Sequence, residues 1–470
     1  MSALDALPLQ EPAVVAPTNP ESAGRPLTFA EGLTEGERRL RWFIVGWITL
    51  STILNLIDKN TLALLAPTLK IKLGIGEAAY GHIIMAFQFS YAIMYMVAGR
   101  FVDQVGEKVG MTACVAWWSV ATMLHSLARG VMSLGIFRFL LGVGEPGNYP
   151  AALRASARWF SKEERGLPIA IWSSGSAVGN LLAVWIVTSL AIHFGWQAAF
   201  FVPGFFGMLW VLVWLLTYRV PSGAAACEAD LAPATAGVSP AMVRGRDALH
   251  DGRDARPSPT LSDSGGFVQL LKDRRLWAIV LARFLTDPVW VFYQNWTPKF
   301  LAAAWNFDLA KMRLYAWIPF LFGTLGGVCG GVVSDWLIRR GLEPAKARKR
   351  LLFATGAIAP IGMLTGFVPS AGVSIALIAL MAFVCYVWFI DTAALMSDVF
   401  PPRLVGSVLG LAAGMGQFAG IGMAWLAGHL LERNQSYTPL FIVAGSGHLL
   451  ASLVLYFMLK EKSNGATGYS

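Results

Sequence analysis

The sequence predicts an all-α membrane protein with twelve transmembrane helices in two six-helix pseudo-repeats, and three observations lead to this fold class. Of the 470 residues, 56% are hydrophobic and only 14% are charged, whereas a soluble domain carries about 25% charged residues. The apolar residues form runs long enough for a helix to cross a bilayer, for example 200–217. A short motif, G-x-x-x-D, also occurs twice, six predicted helices apart.

The apolar runs place the twelve spans and divide the chain. The predicted spans are 42–65, 80–101, 110–128, 131–152, 166–191, 197–219, 276–302, 314–337, 350–369, 373–396, 404–429 and 437–459. A polar segment rich in Ala, Pro, Ser, Asp and Arg separates the sixth span from the seventh, and such a composition does not bury enough surface to fold alone. The predicted regions are a disordered cytoplasmic tail (1–40), an N-terminal six-helix bundle (41–219), a cytoplasmic central loop (220–275), a C-terminal six-helix bundle (276–459) and a cytoplasmic tail (460–470).

Basic residues alternate between the loops and predict the orientation. The loop after span four carries Arg154, Arg158, Lys162 and Arg165, whereas the loop before span twelve carries only Arg433. Cytoplasmic loops carry the excess of Lys and Arg, so both termini are predicted to be cytoplasmic. The net charge of +9 is then explained without a nucleic-acid partner.

The repeated motif ends two corresponding spans. Gly99 and Asp103 end span two, and Gly331 and Asp335 end span eight. Glycine lets two helices approach closely, and the carboxylate can pair with a basic partner that moves during transport. We therefore predict conformational gating by Gly99, Asp103, Gly106 and Asp335, with a simple interfacial cap as the alternative.

Span four contains the most informative pair of ionisable residues. Arg138 and Glu145 are seven residues apart, so both project from one face of a helix. A buried arginine offers a fork of donors that suits a carboxylate, and burial disfavours the charged form of a glutamate, which lets it hold a proton. The pattern indicates a proton–anion symport site, and the alternative is a structural ion pair within one helix.

Three more sites place charge inside a span, where it is costly and usually functional. Asp58 and Lys59 are adjacent in span one, so one can face a cavity and the other a neighbouring helix, or they can form a screened pair. Asp391 in span ten can be a proton site, a specificity residue or a buried acid bonded to a hydroxyl. The last site, in span seven, contains Arg283 and Asp287.

Other chemistries find little support in the sequence. The glycine cluster 323–331 lies in an apolar run without a following Lys-Ser/Thr, so it predicts close helix packing rather than a nucleotide loop. The four cysteines are scattered and form no metal-ligand spacing. We therefore expect neither an enzyme, nor ATP-driven transport, nor a metal or other cofactor.

Several segments resemble the major facilitator superfamily and, within it, the anion:cation symporter family. These segments are 99–106 (G-x-x-x-D-x-x-G), 80–91 (YGHIIMAFQFSY), 138–150 (RFLLGVGEPGNYP), 195–200 (GWQAAF) and 287–301 (DPVWVFYQNWTPKFL). The last two resemble the hexuronate transporter branch in particular. The similarity runs from about residue 41 to 459, without the central loop.

The resemblance implies a twelve-helix major facilitator fold and proton-coupled uptake of organic anions, typically sugar acids. Position by position, Asp58 and Glu145 match the family's proton-coupling carboxylates, Arg138 matches the arginine coupled to proton and anion, and Tyr91 matches a cavity tyrosine. Lys59 departs from the family, which usually has arginine there. Further departures from the hexuronate branch lie at Ser173, Gln294, Asn295, Asp391 and Gln417.

The sequence thus predicts a symporter that imports a small organic anion, such as a hexuronate or aldonate, with the proton as coupling ion. The predicted substrate-binding residues are Lys59, Tyr91, Arg138, Tyr293, Gln294, Trp388, Asp391 and Gln417. Proton-coupled efflux and a membrane sensor without flux are the alternatives. We expect a monomer in the lipid bilayer of the bacterial inner membrane.

Overall fold

The computed structural model describes residues 33–160, 164–221, 270–400 and 402–459. Its helices are α1 (Glu35–Leu73), α2 (Glu77–His125), α3 (Val131–Gly144), α4 (Asn148–Trp159), α5 (Gly166–Phe194), α6 (Trp196–Thr217), α7 (Arg274–Trp305), α8 (Leu309–Tyr315), α9 (Ile318–Arg339), α10 (Pro344–Ile358), α11 (Ala371–Val399), α12 (Pro402–Asn434) and α13 (Thr438–Met458). Most of the predicted tails and central loop lie outside the described residues, so the predicted region boundaries stay predictions.

The described helices confirm the predicted fold class. Among the described residues, nine helical segments are each long and apolar enough to cross a bilayer. One of them, α2, crosses twice, because Gly106 has φ 81° and ends the helical geometry in its middle. Two further crossings are broken helices that contain short 3-10 turns, Glu145–Gly147 and Ala359–Gly366. The nine segments, the second crossing of α2 and the two broken helices together make twelve crossings.

Helix lengths differ from the prediction where polar residues extend an apolar run. The first helix begins seven residues earlier than predicted, at Glu35, because Thr34 and Glu37 form a capping box. It ends before Gly74, whose φ of 62° is left-handed. In span four the helix breaks at Glu145–Gly147, at the position of Pro146, because proline cannot donate the helical hydrogen bond.

The crossings give the bundle two distinct ends. We call the end that carries Glu35 and Arg339 the near end, and the end that carries Leu73, Glu77 and Lys299 the far end. A single buried apolar cluster contains Ile84 and Leu65 from the first six crossings together with Phe292 and Ala424 from the last six. The two halves therefore share a packed core.

Candidate functional site

A cavity of about 240 Å³ lies between the two halves of the bundle. Both halves contribute polar side chains to its wall, and these are Lys59, Gln88, Tyr91, Tyr95, Arg138, Ser176, Asn180, Arg283, Asp287, Gln294, Asn295, Tyr386 and Gln417. Five predicted binding residues are among them: Lys59, Tyr91, Arg138, Gln294 and Gln417. This is the position expected for a transporter's substrate site.

Two cations of the first half lie against the faces of aromatic rings. The Lys59 ammonium lies 4.5 Å from the ring centroid of Tyr91 and 5.7 Å from that of Phe87. The Arg138 guanidinium lies 5.7 Å from the same Phe87 ring and donates one hydrogen bond to the Lys59 carbonyl, at 3.4 Å. Ring faces stabilise the cations without neutralising them.

These two cations have no direct counter-ion among the described residues. The ion pairs found there include neither Lys59 nor Arg138, and the Nε and Nη2 atoms of Arg138 have no hydrogen-bond partner. The structural Arg138–Glu145 ion pair, which was the alternative to a transport role, is therefore not formed. An anion entering the cavity would meet two unpaired positive charges.

Two carboxylates are buried near these cations and do not line the cavity. Asp58 is 1% exposed and Glu145 is 2% exposed, and neither of the two oxygens of each group has a hydrogen-bond partner. Thr122 lies beside Asp58, and Arg138 lies close enough to both acids to interact electrostatically. A buried carboxylate that accepts few hydrogen bonds is costly in its charged form, so both groups suit a proton.

In the part of the cavity wall that the second half contributes, one cation and one acid neutralise each other. Arg283 and Asp287 are one turn apart on α7, and the Nε and Nη2 atoms of Arg283 lie 3.1 and 3.0 Å from one oxygen of Asp287. The guanidinium also lies 4.3 Å from the centroid of the Phe389 ring. Sequence analysis identified this pair as charge inside a span, and the structure places it in the cavity wall.

Amide side chains join the halves around the cavity. Gln88 donates to Gln417 at 3.1 Å, and Gln294 donates to Asn60 at 3.0 Å. Asn60 in turn donates to Asn180, which donates to Tyr386 at 3.3 Å. Sequence reasoning missed Gln88, Asn180 and Tyr386, although an amide in an apolar span is itself a signal, because an unpaired buried amide is costly.

Three predicted binding residues lie outside the lining of this cavity. Tyr293 lines an adjoining space of about 20 Å³, which shares Trp290 and Gln294 with the wall of the main cavity. Trp388 packs edge-on against His448, and Asp391 is buried with Arg348 at 3.7 Å. For Trp388 and Asp391 the reason is helical phase, because the face of α11 that reaches the cavity carries Tyr386 and Phe389. The binding roles predicted for Tyr293, Trp388 and Asp391 lack geometric support in this conformation.

The motif predicted to gate transport makes an ion-pair network in the first half. Asp103 lies 2.9 Å from Arg154, which also contacts Glu107 at 3.2 Å. Gly106 supplies the left-handed turn between the two crossings of α2. At Gly99, by contrast, a Cβ would meet nothing within 4 Å, so this glycine makes no close helix contact of the predicted kind.

The second copy of the motif does not repeat these contacts. Among the described residues Asp335 has no ion pair within 4 Å, and the nearby Arg348 pairs instead with Asp398, at 2.6 Å. Arg348 starts from α10 and reaches two acids of α11, Asp391 and Asp398. The motif therefore occurs twice in the sequence, but its ion pairs differ between the halves.

Ion pairs and hydrogen bonds join the two halves at the far end. Lys299 of α7 forms an ion pair of 2.5 Å with Glu77 of α2, and Lys70 contacts the same carboxylate at 2.7 Å. Glu432 accepts from the Ala78 amide, and Tyr80 donates to the Asn295 carbonyl. In the described part of the chain, every direct hydrogen bond between the halves lies at the cavity or at this end. The cavity is thus closed towards the far end.

Comparison with known proteins agrees with this architecture. The model of the Major Facilitator Superfamily matches residues 48–424. Among solved structures, a bacterial homologue of the human lysosomal transporter Spinster, captured inward-facing and unoccupied, superposes with a TM-score of 0.67 at 17% identity and covers 89% of this chain and 95% of its own. At that identity the likeness concerns the fold.

Individual relatives with a named substrate show which transporters of this superfamily the chain is similar to. The hexuronate transporter of Escherichia coli (strain K12) is 30% identical over 425 residues, which are 90% of this chain and 95% of that protein. The galacturonate transporter of Dickeya chrysanthemi is 31% identical over 69% of this chain and 90% of its own length. A probable galactarate/D-glucarate transporter of Bacillus subtilis is 27% identical over 89% of this chain and 92% of its own. The chain therefore belongs to the major facilitator superfamily of membrane transporters, in the group that includes the hexuronate transporters.

Proposed function

We propose that this protein is a proton-coupled symporter that imports a small sugar acid, such as a hexuronate or an aldonate. One observation carries the proposal: Lys59 and Arg138 face the cavity without counter-ions, while Asp58 and Glu145 are buried near them without hydrogen-bond partners. The cations bind the carboxylate of the substrate. The two acids supply sites for the coupling proton.

The charges of the two cations and the two acids explain why the proton and the substrate anion need each other for binding. With Asp58 and Glu145 ionised, two negative charges already offset Lys59 and Arg138. Protonation of an acid removes that offset, and the cations then attract the substrate carboxylate more strongly, since Coulomb interactions are strong at low dielectric. Proton and anion therefore favour each other's binding.

The dimensions of the cavity limit the substrate. Its volume of about 240 Å³ lies below the ~300–1,000 Å³ of sites for drug-sized ligands. The wall combines cations with amides and hydroxyls, groups that suit a short hydroxylated acid. The relatives' names, hexuronate and galacturonate transporter, support the same class of substrate.

We further propose that the near end faces the cytoplasm, with both termini on that side, in the bacterial inner membrane. The basic residues of the near end support this orientation through the positive-inside rule. The closed far end then faces outwards. The protein works as a monomer in this proposal, with the proton and no other cofactor.

A substrate panel tests the proposal. Cells lacking their own sugar-acid uptake are given the gene and labelled glucuronate, galacturonate or gluconate, with glucose and hexanoate as neutral and non-hydroxylated controls. We expect saturable uptake of at least one sugar acid, and competition by neither control. Export of cationic drugs, or the absence of sugar-acid transport by well-expressed protein, would contradict the proposal.

A further inference from the structure

The two walls of the cavity differ in charge and in chemistry. The wall of the first half carries two cations without direct counter-ions, Lys59 and Arg138. The wall of the second half carries one cation, Arg283, that an acid in the same wall already neutralises. A substrate that fits both walls would place its carboxylate against the first half and a neutral, hydroxylated end against the second.

The Arg283–Asp287 pair packs against two neighbouring helices. Phe389 of α11 covers the guanidinium at 4.3 Å from its ring centroid. The Asp287 carboxylate lies so close to Gly416 of α12 that a Cβ there would collide with it. Phe389 limits the movement of Arg283 on one side and Gly416 limits that of Asp287 on another, and together with the ion pair these contacts favour this arrangement in the cavity wall.

The rest of this wall suits a carbohydrate end. Trp290 and Tyr386 meet edge to face at 5.1 Å beside the pair, and aromatic surfaces suit the C–H faces of a sugar. Gln294 and Gln417 present amides to the same space. Asp287 can accept hydrogen bonds from hydroxyls, and Arg283 can donate them.

We propose that the Arg283–Asp287 pair determines substrate specificity by recognising the end of the sugar acid remote from its carboxylate, and that it selects monocarboxylates against dicarboxylates. This inference rests on the proposed function. Asp287 accepts from the terminal hydroxyls of a monoacid, and it repels a second carboxylate placed there. It also occupies the only direct cationic partner that such a carboxylate would find in this wall among the described residues.

A first test needs no variant. Glucarate, which has a carboxylate at each end, and its monomethyl ester are compared as inhibitors of labelled glucuronate uptake by the wild-type protein. Like charges in an interface cost several kcal/mol, so glucarate should inhibit at least about tenfold more weakly than glucuronate. The ester, whose second charge is masked, should recover most of that loss.

A matched pair of variants then locates the effect. Asp287→Asn keeps the shape but removes the repulsion and frees Arg283, so the preference for glucuronate over glucarate should fall about tenfold or more. The double variant Arg283→Gln/Asp287→Asn also removes the repulsion but lacks the freed cation, so it should bind glucuronate more weakly and its preference for glucuronate over glucarate should fall less than in Asp287→Asn. Thermal unfolding shows whether each variant is folded.

The outcomes separate this inference from the function on which it rests. Equal inhibition of the wild type by glucuronate and glucarate would overturn the inference and leave sugar-acid transport standing. An unchanged preference in folded Asp287→Asn protein would overturn it as well. Failure of every sugar acid to bind the wild type would instead refute the proposed function, and the inference with it.

Discussion

Lys59 and Arg138 are enclosed in the way that the proposed anion site requires. Exposed cations would be screened by water and salt, but these two are enclosed by Phe87, Tyr91 and the helices around them. Their charges reach the cavity because no described acid lies within ion-pair distance. The nearby carboxylates act through space, and this arrangement permits coupling without a locked ion pair.

Glu145→Gln should separate binding from coupling. Glutamine imitates a permanently protonated acid, so the variant should lose accumulation driven by a proton gradient and keep substrate exchange between two labelled pools. Both fluxes are measured in proteoliposomes, with the exposed Glu343→Gln as the control. Accumulation equal to that of the wild type would show that Glu145 does not carry the coupling proton.

Arg138→Ala should weaken the grip on the anion. Loss of a buried charged partner costs about 2–5 kcal/mol, which is tens- to thousands-fold in affinity. Arg138→Lys keeps the charge without the fork and should be impaired less. Affinity is measured by competition at equal surface expression, and exposed Arg129→Ala is the control. Normal affinity in folded Arg138→Ala protein would exclude the proposed role.

The sequence located part of this site and missed the rest for a physical reason. Arg138, Lys59 and Tyr91 were predictable because ionisable and aromatic groups inside a span need partners or a cavity. Trp388 and Asp391 were assigned to the binding site although they lie on another face of α11, where Tyr386 and Phe389 reach the cavity. A helix that is apolar on all sides gives no phase signal in its sequence, so the facing residues follow only from packing.

At the scale of helices, glycine decides which pairs approach closely. The predicted cluster 323–331 does pack tightly, because a Cβ at Gly326 would lie 2.8 Å from the Cα of Phe383 on α11. On the same helix a Cβ at Gly331 would meet nothing within 4 Å. A run of glycines in the sequence therefore predicts a packed helix but does not tell which of its members is essential.

This difference gives a prediction with an internal control. Gly326→Ala should destabilise the α9–α11 contact by about 1–3 kcal/mol, the usual cost of overpacking, and lower the melting temperature in detergent. Gly331→Ala adds the same methyl group in open space and should melt within about a degree or so of the wild type. Equal melting temperatures for the two variants would contradict the described packing.

For the whole molecule, twelve crossings were predictable because a bilayer dictates helix length and apolar content. The relative position of the halves was not, since it depends on a few polar contacts between distant residues, such as Glu77 with Lys299. These contacts close the far end in this conformation. We expect these contacts to break during alternating access, so they should contribute to the balance between states.

Lys299→Gln should shift that balance towards opening at the far end. The variant loses the ion pair between the halves, so a cysteine at Thr297, in protein without native cysteines, should react faster with an impermeant thiol reagent in intact cells. Lys70→Gln is the matched control, because Lys70 contacts Glu77 from within the same half. Equal reactivity in both variants would show that the pair does not hold this end closed.

One measurement tests directly whether protons drive the uptake of a sugar acid. Purified protein in liposomes is given labelled glucuronate under an inward proton gradient, with and without a protonophore and with a sodium gradient as the comparison. We expect the glucuronate inside to exceed the external concentration. The protonophore should abolish this accumulation, and the sodium gradient should not support it. Simple equilibration under the proton gradient, or accumulation driven by sodium alone, would contradict it.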